Sequence, residues 1–295
     1  MLEKIFSLPI DEAIAEAVSR RHLDQMPLVV VDRPEGRAAV SLQGAQLVAW
    51  EPRGEAPVLW LSDRSRWARG AAIRGGVPLC WPWFDDSGEP MHGFARTVMW
   101  ELTECLEADD SVTLTFGLRS TAETLALWPY DFALVTRIKV GQECSVELEV
   151  HADHPSVAAL HTYLRVGSLA QVTIAGLGDR YTDGLRDHAP GFQDGALTLA
   201  DGEPVERYYT RSASVSEVHD GKLGRTVEVH HRQHSDTVVW NPGAELIQTM
   251  PDLAKDAHRE FVCVETARLS RPIAGGERNA PGEAARLAMT LTVRS

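Results

Sequence analysis

Residues 112–118 read VTLTFGL, a stretch in which every second side chain is large and apolar. A period of two is typical of a β-strand that buries one face and exposes the other to solvent. The same alternation recurs at residues 146–150 (VELEV) and 287–293 (LAMTLTV). These three segments predict half-buried strands that belong to a large β-sheet.

Short β-branched runs, separated by Gly, Pro and Asp, continue the strand pattern along the chain. Further strands are predicted at residues 28–31, 38–42, 132–140, 172–174, 226–230, 237–240 and 261–265. So many short strands with almost no helix between them indicate an all-β fold, a large antiparallel β-sandwich.

Only two segments favour a helix. Residues 11–21 (DEAIAEAVSRR) place three apolar side chains on one helical face behind an acidic start, so we expect a short N-terminal helix there. Residues 121–128 predict one or two helical turns that Pro129 ends. Residues 183–204 are rich in Gly and Asp and are expected to form a loop inside a single domain that spans residues 1–295.

The composition restricts the classes of partner. The formal net charge of −13 argues against binding to nucleic acid or to an anionic membrane, and an anionic ligand would need a local arginine cluster. The first eleven residues lack the basic start and long apolar run of a signal peptide. The four cysteines are scattered, with no CxxC pair. We therefore expect a cytoplasmic protein with reduced thiols.

Two glycine-flanked segments carry groups that suit a sugar. Arg74 precedes two glycines and the run CWPWF at residues 80–84. The guanidinium can bind polar groups of a sugar, the glycines let the backbone approach it closely, and the aromatic rings offer flat apolar surface. The alternative is a glycine turn beside a buried tryptophan cluster. His92 and Arg96 bracket a Gly-Phe-Ala turn and are expected to face one side of a loop, although a loop histidine is often structural.

Two ionisable residues lie in otherwise apolar strands. His161 follows an apolar run, and Glu265 lies in FVCVE, where a buried carboxylate needs a functional or structural reason. Taken singly, each is compatible with a satisfied core residue. Together they supply the acid and the base that open a sugar ring at C1–O5 and reclose it as the other anomer. We expect the nearby carboxylate to favour the protonated histidine.

Other chemistries have weaker support in the sequence. The cluster HHRQH at residues 230–234 lacks the spacing and partners of known metal motifs, so we read it as a polar strand end. Glycoside hydrolysis would pair Glu265 with Asp179 or Glu206, but nothing fixes their separation. The sequence contains no P-loop, Rossmann fingerprint or GxSxG elbow.

A series of motifs resembles the D-hexose-6-phosphate mutarotases, the glucose-6-phosphate 1-epimerase branch of the aldose 1-epimerase family. In family order, they are SLQGAQLVAWEP, VLWLS, AIRGGVPLCWPWF, HGFAR, LWPYDF, ALHTYLRVG, GLGDRYTD, DTVVWNPG and FVCVET. The resemblance implies a β-supersandwich of the galactose mutarotase type. It also implies an isomerase that interconverts the α and β anomers of a hexose 6-phosphate, most simply glucose 6-phosphate.

The resemblance assigns roles residue by residue. His161 of HTYL matches the general acid, and Glu265 of VCVET matches the base. Arg74 and Arg96 match arginines associated with the substrate and its 6-phosphate, and His92 matches a histidine lining the sugar pocket. Two positions depart from the family pattern. Met91 replaces a glutamine, and Glu206 replaces a substrate-binding aspartate. Both substitutions bear on sugar preference.

Two rival functions stay open. An aldose 1-epimerase acting on unphosphorylated sugars would not need two permanent cations, whereas a phosphate does. A non-catalytic carbohydrate-binding protein would not need His161 and Glu265 together. We expect no metal or cofactor, a small sugar phosphate as the partner, no nucleic acid or membrane, and a monomer.

Overall fold

The computed structural model describes residues 1–275 and 286–295 of the chain. Three short α-helices lie in this part, α1 (Leu2–Phe6), α2 (Ala122–Leu127) and α3 (Gly243–Leu246). The first eleven strands are β1 (Glu12–Ala15), β2 (Val18–Leu23), β3 (Met26–Arg33), β4 (Gly36–Ser41), β5 (Gln46–Pro52), β6 (Leu79–Cys80), β7 (Glu101–Glu107), β8 (Val112–Arg119), β9 (Phe132–Val140), β10 (Cys144–Ala152) and β11 (Ser156–Leu160). The others are β12 (Tyr163–Arg165), β13 (Val172–Ala175), β14 (Arg180–Asp183), β15 (Ala189–Phe192), β16 (Leu197–Thr198), β17 (Val205–Tyr209), β18 (Val215–Asp220), β19 (Arg225–Arg232), β20 (Asp236–Asn241), β21 (Phe261–Ile273) and β22 (Arg286–Arg294).

The described strands form three sheets with antiparallel pairing. The first sheet contains β1 to β5 in chain order. The second sheet has nine strands, in the order β16-β13-β18-β19-β22-β10-β9-β8-β7. The third sheet has the order β15-β14-β17-β20-β21-β11-β6, and β12 also pairs with β21. In the second and third sheets, many neighbouring strands are not consecutive in the chain, so distant segments lie side by side.

One hydrophobic core joins the three sheets. It includes Val40 of β4, Leu114 of β8 and Val264 of β21, one residue from each sheet, all with 0% exposure. Strand β8 buries the alternate apolar side chains of residues 112–118 in this core. The predicted strand pattern and the all-β sandwich are therefore confirmed.

The helix predicted over residues 11–21 is wrong. This segment forms the hairpin β1–β2, and β2 continues into the first sheet by pairing with β3, where Val18 lies opposite Val31. A helix of this length is marginal by itself, and the backbone hydrogen bonds and burial offered by β3 outweigh its weak helical propensity. The short N-terminal helix is present, but it lies earlier in the chain, at α1.

The helix predicted at residues 121–128 is present, whereas the loop predicted at residues 183–204 contains strands. The helical turn near residues 121–128 is confirmed as α2, whose first turn is capped by the Thr121 side chain. The segment 183–204 is not wholly irregular, because β15 and β16 within it extend the third and second sheets. Within residues 1–275 and 286–295, no helix has the length and apolar character needed to cross a membrane.

The core assignment of β8 predicts a contrast between two leucines in neighbouring strands. Leu114 has 0% exposure, whereas Leu106 of β7 is 54% exposed. Replacing Leu114 with Ala should lower the free energy of unfolding by about 2–5 kcal/mol, because it removes buried methyl groups and leaves a cavity. The matched Leu106→Ala change should cost less than about 0.5 kcal/mol. Urea unfolding measures both, and equal losses would contradict the assigned core face.

Candidate active site

A cavity of about 270 Å³ lies against the face of the third sheet that points away from the shared core. Loops that follow β5 and β6 complete its walls. The lining residues are Arg74, Phe84, Asp85, Met91, His92, His161, Glu206, Tyr208, Val238, Trp240, Leu246, Met250 and Glu265. Aromatic faces next to convergent polar groups suit a small polar ligand.

Strand register brings His161 and Glu265 together. Strand β21 pairs with β11 one position before His161 and with β12 two positions after it, and the two registers agree. Counting residues between these two pairings places His161 opposite Glu265. The His161 Nε2 atom lies 3.4 Å from Oε1 of Glu265, and the two side chains are only 6% and 1% exposed.

Alternation along β21 decides which way Glu265 faces. Val264 enters the shared core, so the next side chain, Glu265, lies on the opposite face of the sheet. Pairing across three strands then places Tyr208, Val238 and Glu265 in one row. Glu206 lies two positions before Tyr208 on the same strand and therefore on the same face.

The carboxylates gather on one side of the cavity. The Tyr208 hydroxyl donates a hydrogen bond of 2.7 Å to Glu206 and lies 3.5 Å from Oδ2 of Asp85. Burial raises the pKa of Glu265 well above its usual range, and the nearby charges of Glu206 and Asp85 raise it further. Burial also raises the pKa values of Glu206 and Asp85 themselves. The cluster thus favours ligand groups that donate hydrogen bonds, such as hydroxyls.

The cations and histidines gather on the other side. Burial lowers the pKa of His161 well below its usual range, and His92, Arg74 and Arg96 lower it further through their positive charges. The expectation that the carboxylate would favour the protonated histidine is therefore wrong for this pocket, because burial and the permanent charges of Arg74 and Arg96 act against it. Tyr163 stacks on the His161 ring at 4.8 Å and fixes its plane.

Two buried polar atoms of the central pair have no hydrogen-bond partner in the described part of the chain. They are Nδ1 of His161 and Oε2 of Glu265. A buried carboxylate oxygen without a donor is costly, so such atoms are typical of sites that bind a polar ligand. The geometry leaves Glu265 able to accept a proton or a hydrogen bond from a molecule in the cavity.

Arg74 is held rigidly at the edge of the cavity. Its Nε donates to Oδ2 of Asp252 at 2.9 Å, and Nη1 donates to the Tyr163 hydroxyl at 3.1 Å. Gly75 and Gly76 directly after it adopt positive φ, and an added Cβ at either would meet backbone atoms of the first sheet or its following loop within 2.5 Å. The glycines therefore permit the close approach that fixes Arg74 in place.

Arg96 occupies a different position from Arg74. It does not line the cavity, and its Nη2 donates to the backbone oxygen of Met91 at 2.8 Å. The structure thus places His92, but not the Arg96 guanidinium, in the pocket wall. The positive charge of Arg96 still lowers the pKa values of His92 and His161. Met91 lies at the mouth with 49% exposure.

A tight loop fixes the orientation of His92. Asp85 and His92 both adopt the left-handed backbone conformation, with φ of 55° and 62°. The Asp85 backbone N–H donates to Nδ1 of His92 at 3.1 Å, and the His92 N–H donates back to the Asp85 oxygen at 2.9 Å. Since Nδ1 accepts, the neutral ring carries its proton on Nε2. The His92 and His161 rings lie nearly perpendicular to each other, with centroids 5.4 Å apart.

Asp85, Tyr208, Trp240 and Asp252 are among the residues in or behind the cavity wall that sequence reasoning missed. Asp85 directly follows CWPWF, and Tyr208 follows Glu206 with the strand period of two, so both had a local signal. Trp240 and Asp252 had none, because they reach the site through pairing and folding of distant segments. Asp179, considered as a partner carboxylate, does not line the cavity.

The HHRQH segment enters the protein interior at its second residue, His231. Both ring nitrogens of His231 are engaged, Nδ1 with the Thr266 hydroxyl at 2.7 Å and Nε2 with the Ser216 hydroxyl at 3.0 Å. Throughout the part of the chain that is described, no three His, Cys, Asp or Glu side chains are grouped so that they could hold a metal ion. His231 thus acts as a hydrogen-bonded link between the second and third sheets.

The geometry of His92 predicts an unusual titration. Burial, with the charges of Arg96 and Arg74, lowers its pKa to about 3. The ring should therefore stay neutral between about pH 8 and pH 5, where an ordinary histidine with a pKa near 6.5 becomes charged. Nitrogen-15 NMR should show no titration over this range and an unprotonated Nδ1. A midpoint near pH 6.5, or a protonated Nδ1, would contradict the loop geometry.

Comparison with known proteins agrees with this architecture. Residues 27–292 match the family described as Aldose 1-epimerase. A Salmonella typhimurium protein named "Putative glucose-6-phosphate 1-epimerase" is 43% identical over 99% of both chains, and an Escherichia coli protein of the same name is 44% identical over 92% of both. The crystal structure of the Salmonella typhimurium mutarotase-type protein YeaD superposes with a TM-score of 0.95 at 43% identity, covering 100% of this chain and 99% of that one. The chain therefore belongs to the aldose 1-epimerase family.

Proposed function

We propose that this protein is an isomerase that interconverts the α and β anomers of a hexose 6-phosphate, with glucose 6-phosphate as the first substrate to test. The observation that carries the proposal is the buried pair His161 and Glu265, 3.4 Å apart, between a carboxylate side and a cationic side of one small cavity. The names of the two bacterial relatives support the same substrate.

The pair supplies the two proton transfers that ring opening requires. Glu265 takes the proton of the C1 hydroxyl, the C1–O5 bond breaks with its electron pair going to O5, and His161 donates a proton to O5. The product is the open-chain aldehyde, with Glu265 protonated and His161 neutral. Rotation about C1–C2 and the reverse transfers close the ring on the other face and restore both groups.

Burial sets the balance between the two protonation states of the pair. The ionised pair before ring opening and the neutral pair after it contain the same number of protons, so they differ only in where the protons lie. Because burial raises the pKa of Glu265 and lowers that of His161, it stabilises the neutral pair relative to the ionised pair. The neutral pair is also the more populated form before ring opening, so the reactive ionised pair forms by transfer of one proton from Glu265 to His161.

The distribution of charge also fits a substrate with an anion at C6. In a hexopyranose, C6 is attached to C5 next to the ring oxygen, whereas the C1 hydroxyl lies next to the C2 hydroxyl. The acid that protonates O5, His161, is the group whose surroundings include Arg74 and Arg96. The base at the C1 hydroxyl, Glu265, is surrounded by Glu206 and Asp85, which suit hydroxyl groups.

Several further roles belong to this proposal. Arg74 binds the anionic end of the sugar, His92 donates from Nε2 to a sugar oxygen, and Glu206 accepts hydrogen bonds from hydroxyls. Arg96 contributes through its charge, and Met91 forms an apolar rim at the mouth. A cytoplasmic location, a monomeric state and activity without metal or cofactor stay predictions from the sequence.

The acid and base roles can be tested by conservative variants. Glu265→Gln removes the base and His161→Asn removes the acid, so each should slow anomer exchange by about 10²-fold or more. The double variant should lose much less than the product of the two single losses, since both groups act in one step. NMR or polarimetry follows the equilibration of pure α-glucose 6-phosphate.

A matched control lies on another sheet. Glu217→Gln and His219→Asn alter a half-exposed Glu–His pair on β18, whose atoms are 3.3 Å apart and which lies outside the cavity. These variants should keep the wild-type rate. Anomer exchange at a near wild-type rate in Glu265→Gln or His161→Asn would overturn the assignment, and a wild-type protein without activity would exclude the proposed function.

Arg74 tests the substrate class. Replacing it with Gln removes a charged donor that the proposal aligns with the phosphate, so transition-state binding of glucose 6-phosphate should weaken by about 2 kcal/mol or more. Free glucose, which lacks the anion, should lose much less. Steady-state kcat/KM for the two sugars gives both values, and equal losses would favour an epimerase of unphosphorylated sugars.

A further inference from the structure

Strand pairing arranges one wall of the sugar pocket as a row of side chains. Across β17, β20, β21 and the junction of β11 with β12, the row is Tyr208, Val238, Glu265 and His161. Glu265 therefore has His161 on one side and Val238, then Tyr208, on the other. In a pyranose, the ring oxygen and C2 are both bonded to C1 and lie on opposite sides of it. A sugar that places O5 at His161 and its C1 hydroxyl at Glu265 therefore directs its C2 substituent towards Tyr208.

The side chains around Tyr208 present hydrogen-bond acceptors to the pocket. The Tyr208 hydroxyl donates its single hydrogen to Oε1 of Glu206 at 2.7 Å, so its oxygen offers a ligand only lone pairs. Glu206 and Asp85 both carry carboxyl groups, and Oδ2 of Asp85 lies 3.5 Å from the same hydroxyl. Val238, between Tyr208 and Glu265 in the row, is apolar and buried. A group at C2 would thus meet oxygen acceptors from three side chains.

The same side of the pocket has an excess of negative charge. In the described part of the chain neither Asp85 nor Glu206 forms an ion pair, and Arg74, across the cavity, already has a carboxylate partner at 2.9 Å. His188 lies behind Tyr208, with ring centroids 5.2 Å apart, but it lines a neighbouring cavity and not the sugar pocket. Burial raises the pKa values of Asp85 and Glu206. A cation bound between the two carboxyl groups would offset this rise and hold both in their charged form.

We propose that the pocket prefers a protonated amino group at C2, so that its substrates include 2-amino-2-deoxyhexose 6-phosphates such as glucosamine 6-phosphate. This inference rests on the proposed function and extends its substrate class. An ammonium group has three hydrogens and no lone pair, so it can donate to Asp85, Glu206 and Tyr208 together. A hydroxyl has one hydrogen, and its lone pairs face those of the acceptors that it leaves unbound. The ring opens and closes as for glucose 6-phosphate, and the C2 ammonium keeps its protons.

The test compares two sugars that differ only in the group at C2, glucosamine 6-phosphate and glucose 6-phosphate. At about pH 6.5 a sugar amine is protonated, as an α-amino group with a pKa of about 8 would be. Exchange NMR on the anomeric protons gives kcat/KM for both sugars on the same protein, so their ratio does not depend on the fraction of active enzyme. Calorimetry measures the binding of each sugar independently of turnover.

Three variants of the full chain locate the source of the preference. Asp85→Asn and Glu206→Gln keep the shape of each side chain and remove its charge. Asp86→Asn is the matched control, because Asp86 directly follows Asp85 but is exposed and does not line the sugar pocket. A loss of preference confined to the first two variants assigns it to direct contact rather than to the general field of nearby carboxylates.

In the wild type, both kcat/KM and affinity should be about tenfold or more higher for glucosamine 6-phosphate than for glucose 6-phosphate. Asp85→Asn and Glu206→Gln should each lower this ratio about threefold or more, and Asp86→Asn should keep it within about twofold. Equal values for the two sugars, a preference for glucose 6-phosphate, or a ratio that all three variants change equally or leave unchanged would overturn the amino-group site and leave the proposed function in place. Preferential binding of glucosamine 6-phosphate that Asp85→Asn and Glu206→Gln weaken, without anomer exchange of either sugar, would instead overturn only the proposed function.

Discussion

The register of β21 against β11 and β12 is the constraint on which the site depends. It sets His161 opposite Glu265, and strand alternation turns Glu265 away from the core while Val264 enters it. A slip of one residue would exchange these two faces, burying the carboxylate among apolar side chains and emptying the pocket of its base. The long, continuously paired sheets that surround β21 hold the register, so the stability of the sandwich and the geometry of the site have the same origin.

Groups of opposite charge lie on the two sides of this pair and determine the direction in which a sugar binds in the cavity. Carboxylates lie beside Glu265, and arginines lie beside His161, although both central groups are buried. A sugar whose ring oxygen and C6 anion face the arginines necessarily presents its C1 and C2 hydroxyls to the carboxylates. The rigid contacts of Arg74 with Asp252 and Tyr163 keep that direction fixed before a ligand binds, which reduces the cost of ordering the site on binding.

Local patterns predicted the strands well, because alternation such as that of residues 112–118 directly reflects burial of one face. The failed helix at residues 11–21 shows the limit of this reasoning, since its periodicity was local while its structure depends on pairing with β3. His161 and Glu265 were identified from their apolar surroundings and from motif resemblance. Their opposed register, the contact of Asp252 with Arg74 and the depressed pKa of His161 arise from distant segments, and no local pattern contains that information.

The central claim is that one bound sugar spans His161 and Glu265 in a single orientation. A crystal structure of the Glu265→Gln variant with glucose 6-phosphate tests it most directly, because this change keeps the shape of the side chain and slows turnover. We expect the C1 hydroxyl to lie against position 265, the ring oxygen within hydrogen-bond distance of His161, and C6 directed towards Arg74. A sugar bound with C6 beside Glu206 and Asp85, or with its anomeric carbon outside the cavity, would contradict it.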